Sequence, residues 1–104
     1  MSGVNTSGMN NRKSGAKRFV VDLAGLATKG DLHGRIRRAM ELPEYYGENL
    51  DALYDLLTEM DEGTEIFFSG ADQADRSLGE YLDMMREMCS DAENENPGLK
   101  IFFQ

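Results

Sequence analysis

The sequence predicts a single α/β domain built on a small three-stranded parallel sheet packed with helices. Three short apolar runs are rich in β-branched or aromatic residues: FVVDL (Phe19–Leu23), TEIFFS (Thr64–Ser69) and LKIFF (Leu99–Phe103). Runs of this length and composition are typical of buried strands. Segments with a helical period separate the runs, and strands that alternate with helices form parallel sheets of βα units. With only three strands, we expect the helices to cover mainly one face of the sheet.

The first helix is predicted over Asp31–Glu41. Thr28 and Asp31 have the spacing of a capping box, in which side chains satisfy the free N–H groups of a helix start. Apolar residues then recur on one face of the segment. Pro43 cannot continue the helix, so residues 43–48 are predicted to form a loop.

The second helix is predicted to begin after the N-cap Asn49 and to end at Gly63. A helical period places five apolar residues on one side: Leu50, Leu53, Leu56, Leu57 and Met60. The opposite side carries only acidic residues, at spacings of three, four, four and three. We call this predicted stripe the acidic ridge; its members are Glu48, Asp51, Asp55, Glu59 and Glu62.

Two interpretations of the acidic ridge are open. A charged stripe on a helix is most often a solvated face. Such a face usually mixes signs, because opposite charges at i, i+4 stabilise a helix by about 0.2–0.5 kcal/mol and like charges cost a similar amount. Every such pair of the ridge is like-charged. This pattern favours the second interpretation, in which a basic partner neutralises the ridge.

The third helix is predicted to begin at a capping box formed by Ser77 and Glu80. An apolar stripe with helical spacing follows it as far as Ala92 and includes Cys89. The polar residues 70–76 before the box are predicted to form about one helical turn. The residues NENPG, at positions 94–98, predict a turn into the last strand.

Charge is distributed unevenly along the chain. Residues 1–17 are polar and basic and are predicted to be a disordered N-terminal tail, with residues 18–104 forming the folded domain. The net charge is −8, but residues 41–95 alone contain 17 acidic and two basic residues. Such a surface repels nucleic acid and attracts basic proteins. We therefore expect a protein partner and no nucleic-acid binding.

Several features predict a cytoplasmic protein without a membrane segment. The chain has one cysteine, Cys89, and so no intrachain disulfide. Its N-terminus lacks the apolar core of a signal peptide, and no run reaches membrane-spanning length. Cys89 lies within an apolar helical stripe, which indicates a buried small hydrophobe rather than a reactive thiol.

The sequence gives little support to catalysis. His33 is the only histidine, and its apolar neighbours favour a structural role; no serine lies in a Gly-x-Ser-x-Gly elbow. Zinc-binding spacings, phosphate-binding loops and dinucleotide fingerprints are also absent from the sequence. Asp51 and Asp55, one helical turn apart, leave open a carboxylate metalloenzyme. We expect no cofactor and no enzymatic activity.

Three tyrosines lie beside the ridge. Tyr45 and Tyr46 are in the loop that enters the second helix, and Tyr54 lies between its apolar and acidic sides. They either cover the edge of the core or form aromatic anchors of an interface, where such residues exclude water around charged contacts.

The segment LPEYYGENLDALYDLL at positions 42–57, together with Asp31-Leu32-His33, resembles the barstar family of intracellular inhibitors of the secreted ribonuclease barnase. The resemblance implies a three-stranded parallel sheet packed with helices. It also implies that the loop and the acidic helix plug the active site of a basic extracellular ribonuclease. Carboxylates then occupy the positions of RNA phosphates. The inhibitor is expected to be a monomer when free and to form a 1:1 complex with the enzyme.

The resemblance also implies roles for individual residues. Asp55 resembles the central aspartate of the contact and Asp51 the second aspartate. Tyr45 and Asn49 resemble contacts from the loop and the helix start, and Glu87 resembles a peripheral acidic contact from the last helix.

Three further predicted contacts depart from the family pattern. Tyr54 stands where the family type has tryptophan, and Glu59 and Met60 stand where it has glycine and tryptophan. These changes alter the rim of the predicted interface. They leave open a second assignment, an immunity protein against a different toxin or nuclease on the same fold.

Overall fold

The structure is a computed structural model that describes residues 17–104. The predicted disordered tail therefore lies outside the described residues, apart from Lys17. The described strands and helices are β1 (Arg18–Asp22), α1 (Lys29–Ala39), α2 (Leu50–Thr58), β2 (Glu65–Ser69), α3 (Gly79–Glu95) and β3 (Lys100–Phe103). Two short 3₁₀ turns, Ala71–Gln73 and Arg76–Leu78, precede α3.

The three strands form one parallel sheet in the order β1-β2-β3. Both connections step in the same direction across the sheet, and right-handed crossovers then place all three helices on one face. The predicted fold class, an α/β protein with a small three-stranded parallel sheet packed with helices, is confirmed.

The core lies between the sheet and the helices. Side chains alternate along a strand, so Val21, Ile66 and Phe68 point to the helices and are completely buried. The helices contribute Leu32, Ile36, Leu53, Leu57, Met85 and Cys89 to the same cluster. Burying one such side chain contributes roughly 1.5–3 kcal/mol, so this cluster dominates the stability of the domain.

No helix of residues 17–104 crosses the opposite face of the sheet. Val20, Phe67 and Phe102 form one row in register across the three strands. Val20 is 61% exposed and Phe102 is 41% exposed, and the rings of Phe67 and Phe102 stack with centroids 4.8 Å apart. This confirms the expectation that the helices cover mainly one face.

The prediction that the second helix extends to Gly63 is wrong. Helix α2 ends at Thr58, and Gly63, at φ 92°, forms a separate turn before β2. The Thr58 hydroxyl donates to the Asp55 carbonyl at 2.9 Å, an interaction that competes with the helical pattern. Negative charge is also unfavourable at the C-terminal end of a helix, and three of the four residues after Thr58 are acidic: Glu59, Asp61 and Glu62.

The earlier end of α2 changes the acidic ridge. Glu62 lies beyond the helix, and Glu48 precedes the N-cap. Asp51 and Asp55 lie on α2 and Glu59 is its C-cap; all three are exposed. We call these three residues the acidic face of α2.

The predicted Ser77–Glu80 capping box is also wrong. Asp75 is the N-cap of the second 3₁₀ turn and accepts from the Ser77 N–H at 2.9 Å. The Ser77 hydroxyl donates to the same carboxylate at 2.7 Å, and no side chain caps α3, whose N-cap is Leu78. These bonds lower the pKa of Asp75 below its ordinary value.

The boundaries of two helices also differ from the prediction. Helix α1 begins at Lys29, although Thr28 caps it as predicted by accepting from the Asp31 N–H at 3.0 Å. Helix α3 continues to Glu95, so the predicted turn at 94–98 is shortened to the residues after the C-cap Asn96.

Cys89 lies in the core, as predicted, with 2% of its surface exposed. Burial, with a smaller contribution from Glu93, raises the pKa of its thiol to about 12. We expect Cys89→Ala to lower the free energy of unfolding by about 1 kcal/mol, because packing is lost without loss of a hydrogen bond. Urea denaturation measures this change. Loss of partner binding by a folded Cys89→Ala protein would contradict a purely structural role.

Candidate partner-binding site

Helix α2 is oriented by its cap and its leucines. As predicted, Asn49 is the N-cap, and its side-chain oxygen accepts from the Ala52 N–H at 2.8 Å. Leu53 and Leu57 are completely buried in the core. The opposite side of α2 therefore faces outward, and it carries the acidic face.

The loop before α2 presents one tyrosine and buries the next. Tyr45 is 83% exposed, whereas Tyr46 is 5% exposed and belongs to the core. Glu48 adopts φ 55°, a left-handed conformation that is unfavourable for a residue with a side chain. Strained backbone of this kind is concentrated at functional sites. Here it turns the chain from the loop into the N-cap.

The loop and the helix together form a groove of about 280 Å³. Tyr45 lines it from the loop, and Asp55 and Glu59 line it from α2, with Ala52 and Leu56 between them. The structure thus brings together three of the predicted site residues, an aromatic ring and two carboxylates. This combination is suited to a cationic side chain, which a tyrosine face and a carboxylate both attract.

A buried hydrogen-bond network holds the loop in place. The ring of His33 on α1 is completely buried between two tyrosines. Its Nδ1 atom is hydrogen-bonded to the hydroxyl of Tyr46, and its Nε2 atom lies 2.7 Å from the hydroxyl of Tyr81 on α3. The sequence does not indicate that Tyr46, and not Tyr45, is the tyrosine that holds the loop to the core. The position of His33 among apolar residues does indicate a structural histidine.

The network predicts that acid destabilises the protein. Burial lowers the pKa of His33 below its ordinary 6.5, and the nearby Glu48 carboxylate opposes this effect only partly. The neutral ring is favoured in the fold, so its contribution is complete above pH 6.5 and is lost as the pH falls towards the lower pKa of the folded state. We expect a slope of at most about 1.4 kcal/mol per pH unit in the free energy of unfolding.

Urea denaturation between pH 8 and pH 5 measures this slope, with His33→Gln as the control. Glutamine keeps a polar amide at the position but does not titrate. Because His33 is the only histidine in the chain, we expect the slope to flatten in His33→Gln. Equal slopes in both proteins would assign the effect to carboxylates instead.

Helix α3 extends the acidic surface beyond α2. Desolvation and, to a smaller extent, the carboxylates of Glu95, Asp91 and Asp55 raise the pKa of Tyr54. Tyr54 therefore lies in a negative field from both helices, and Asp91 and Glu95 are residues that the sequence interpretation missed. The predicted contact Glu87 is exposed on α3, one helical turn before Asp91.

Met60 is placed differently from the other predicted contacts. It is half-buried and packs against the core. It lines a second groove of about 210 Å³, on the other side of Glu59, whose walls include Lys17 and Asp61. Glu59 therefore lies between two grooves.

The acidic face has no partner within residues 17–104. The one ion pair of this part of the chain joins Arg18 to Glu65 at 3.2 Å, away from α2. The same residues contain no group of three or more side chains that could hold a metal ion. Asp51 and Asp55 thus have no third ligand there for a divalent metal. Among residues 17–104, none of the helices has the length and apolar composition of a membrane-spanning segment.

An exposed tyrosine in the loop, beside carboxylates of α2 that have no ion-pair partner among the described residues, forms a surface suited to contact with cationic side chains of another protein. The comparisons with known proteins point to a family of protein inhibitors. The family model described as "Barstar (barnase inhibitor)" matches residues 16–104. The curated Bacillus subtilis (strain 168) protein named "Putative ribonuclease inhibitor YrdF" is 29% identical over 80 residues, which cover 76% of this chain and 88% of that protein. The chain belongs to the barstar family.

Proposed function

We propose that this protein is a non-enzymatic inhibitor of a basic, secreted, barnase-like ribonuclease. The acidic face of α2 and the loop at residues 43–48 enter the active site, where carboxylates take the positions of substrate phosphates. The observation that supports this most directly is the placement of Asp55: it lines the groove opposite the exposed Tyr45 and has no ion-pair partner among the described residues. The protein then needs no cofactor.

Electrostatics supports a basic partner. An active site that binds RNA carries cationic side chains, which are attracted by the −15 net charge of residues 41–95. The carboxylates of α2 are separated by one helical turn each, so they are presented as a row of anions on a rigid support. Such a row resembles the repeated anionic charges of a phosphate backbone.

Packing supports a plug rather than a flexible contact. The buried side chains of Leu53 and Leu57 anchor the helix to the core, and the hydrogen bond between Tyr46 and His33 holds the loop in place. Both elements are therefore held before binding, and a preorganised surface loses less conformational freedom when it binds. The proposed complex contains one inhibitor and one enzyme.

A second candidate is an immunity protein against a different basic toxin or nuclease. Glu59 favours it, because this residue adds a carboxylate to the groove where the family type has glycine. Both candidates act inside the producing cell, where an inhibitor prevents damage before the toxin is secreted. A carboxylate metalloenzyme using Asp51 and Asp55 has no comparable support. Calorimetry with an added divalent metal distinguishes it from an inhibitor, because only the metalloenzyme requires specific binding of the ion.

The test is a titration of ribonuclease activity. Purified barnase is mixed with increasing amounts of this protein, and cleavage of a fluorogenic RNA is followed. We expect stoichiometric loss of cleavage, with Asp55→Ala as a matched variant that inhibits much less. Inhibition of a different basic nuclease, but not of barnase, would support the second candidate. Cleavage that is unchanged for every nuclease in a basic panel would contradict both.

A further inference from the structure

The segment that follows α3 is folded against the C-terminal end of α2. The side-chain amide of Asn96 donates to the Leu57 carbonyl at 3.1 Å and to the Met60 carbonyl at 2.9 Å. Two residues later, the carbonyl of Gly98 accepts from the Gly63 N–H at 2.8 Å. A Cβ atom at Gly98 would lie 2.8 Å from the Cα of Glu62, so only glycine permits this approach.

This end of α2 lacks the usual stabilising charges. The last carbonyls of a helix have no partners within it, and basic side chains there interact favourably with the helix dipole. Helix α1 follows this rule, with Arg37 and Arg38 in its last turn, whereas α2 has no basic residue there. Its C-cap is the acidic Glu59. The Leu57 carbonyl accepts from the Met60 N–H at 3.2 Å, and the amide of Asn96 adds a side-chain donor to it and a donor to the Met60 carbonyl.

Asn96 is itself held firmly. It is the C-cap of α3, its N–H donates to the Ala92 carbonyl at 2.8 Å, and its own carbonyl accepts from the Leu99 N–H at 3.0 Å. Pro97 follows and restricts the chain further. One residue thus ends α3 and caps α2, and it connects the two helices whose carboxylates surround Tyr54.

We propose that Asn96 is a positioning residue for the acidic surface, which fixes the C-terminal end of α2 and with it Glu59 and Met60. The inference deepens the proposed function and rests on it only for the effect on binding. Asparagine side chains then hold both ends of the helix, Asn49 at the start and Asn96 at the end. The start, which carries Asp51, does not depend on Asn96.

The first part of the test needs no partner. Amide hydrogen exchange is compared in the free wild-type protein, in Asn96→Asp and in Asn94→Asp. Aspartate at position 96 has the same shape but cannot donate, and Asn94 is exposed on the same helix, so the control adds the same charge. We expect Asn96→Asp to speed exchange on the order of tenfold at the Glu59, Met60 and Gly63 amides, with little change at Leu53.

Asn96→Ser is the rescue variant, because its hydroxyl can still donate one hydrogen bond, and we expect it to restore part of the protection. Uniform acceleration along α2, or equal effects of Asn94→Asp and Asn96→Asp, would overturn the proposal. If Asn96→Asp does not fold, Asn96→Ser is compared with the wild type at the same amides. Faster exchange there, with little change at Leu53, supports the proposal, and unchanged exchange overturns it.

The second part measures dissociation constants for barnase. The weakening caused by Asn96→Ser is measured in the Glu59→Gln and in the Asp51→Asn background. We expect the weakening to shrink in Glu59→Gln and to persist in Asp51→Asn, because only Glu59 lies at the end that Asn96 holds. Equal weakening in both backgrounds overturns the link to binding. Absence of barnase binding counts against a barnase partner, while the exchange data still decide the positioning role.

Discussion

Replacing Asp55 by alanine is expected to weaken binding to the cognate ribonuclease by at least about 2 kcal/mol, more than any other single change on the acidic face. Asp55 is the middle carboxylate of that face and lines the groove opposite Tyr45. A charge at the centre of a desolvated interface leaves its basic partners buried and unpaired when it is removed. Asp51→Ala is expected to rank second.

Glu62→Ala is the matched control, because Glu62 is exposed and lies beyond the end of α2. It is expected to be nearly neutral in binding. Calorimetry gives the affinities, and thermal unfolding checks the fold. Melting temperatures of Asp51→Ala and Asp55→Ala are expected to equal or exceed that of the wild type, since like-charge repulsion is relieved. Equal losses of affinity in all three variants would mean that the helix acts as diffuse charge and that phosphate mimicry is wrong.

Association with the ribonuclease is expected to be fast at low salt and to slow steeply as salt is added. Electrostatic steering raises association rates by roughly 10–1,000-fold, to about 10⁸–10⁹ M⁻¹s⁻¹, and salt screens it. Apart from the half-buried Glu93, the carboxylates on α2 and α3 are exposed, and within residues 17–104 no cation pairs with them, so their field extends into solvent. Stopped-flow mixing across a salt series measures the rates.

The dissociation rate provides the internal control for steering. Long-range attraction acts before contact, so salt is expected to change the association rate far more than the dissociation rate. Glu87→Gln, a peripheral change on α3, is expected to reduce the association rate slightly and to leave dissociation almost unchanged. A salt-independent association rate would rule out steering.

The fold could be predicted because its signals are local and repeated. The apolar runs that form β1, β2 and β3 have the length and composition of buried strands, and the caps Thr28 and Asn49 precede clear helical patterns. Helix ends were harder. Glycine commonly ends a helix, but α2 ends before Gly63, at Thr58, where acidic residues follow. Ser77 is hydrogen-bonded to Asp75 and does not cap α3.

The site could be predicted only in part, because some of it depends on contacts distant in sequence. The row of carboxylates on α2 follows from helical spacing alone. The roles of Tyr46 and Asn96 do not, because each depends on a partner on another element: His33 for the tyrosine, and the Leu57 carbonyl for the asparagine. Asp91 and Glu95 were missed for the same reason, since only the packing of α2 beside α3 brings them near Tyr54.

The order of the strands in the parallel sheet determines when, during synthesis, the protein can fold. Arg18 in β1 and Glu65 in β2 pair although they lie 47 positions apart in the sequence, and β2 then pairs with β3. Non-local pairing of this kind slows folding, because long loops must close before any contact compensates for the lost entropy. During synthesis, α2 leaves the ribosome before β2, α3 and Asn96 are available to hold it. A newly made chain therefore acquires its complete acidic surface only when translation has reached its C-terminal strand.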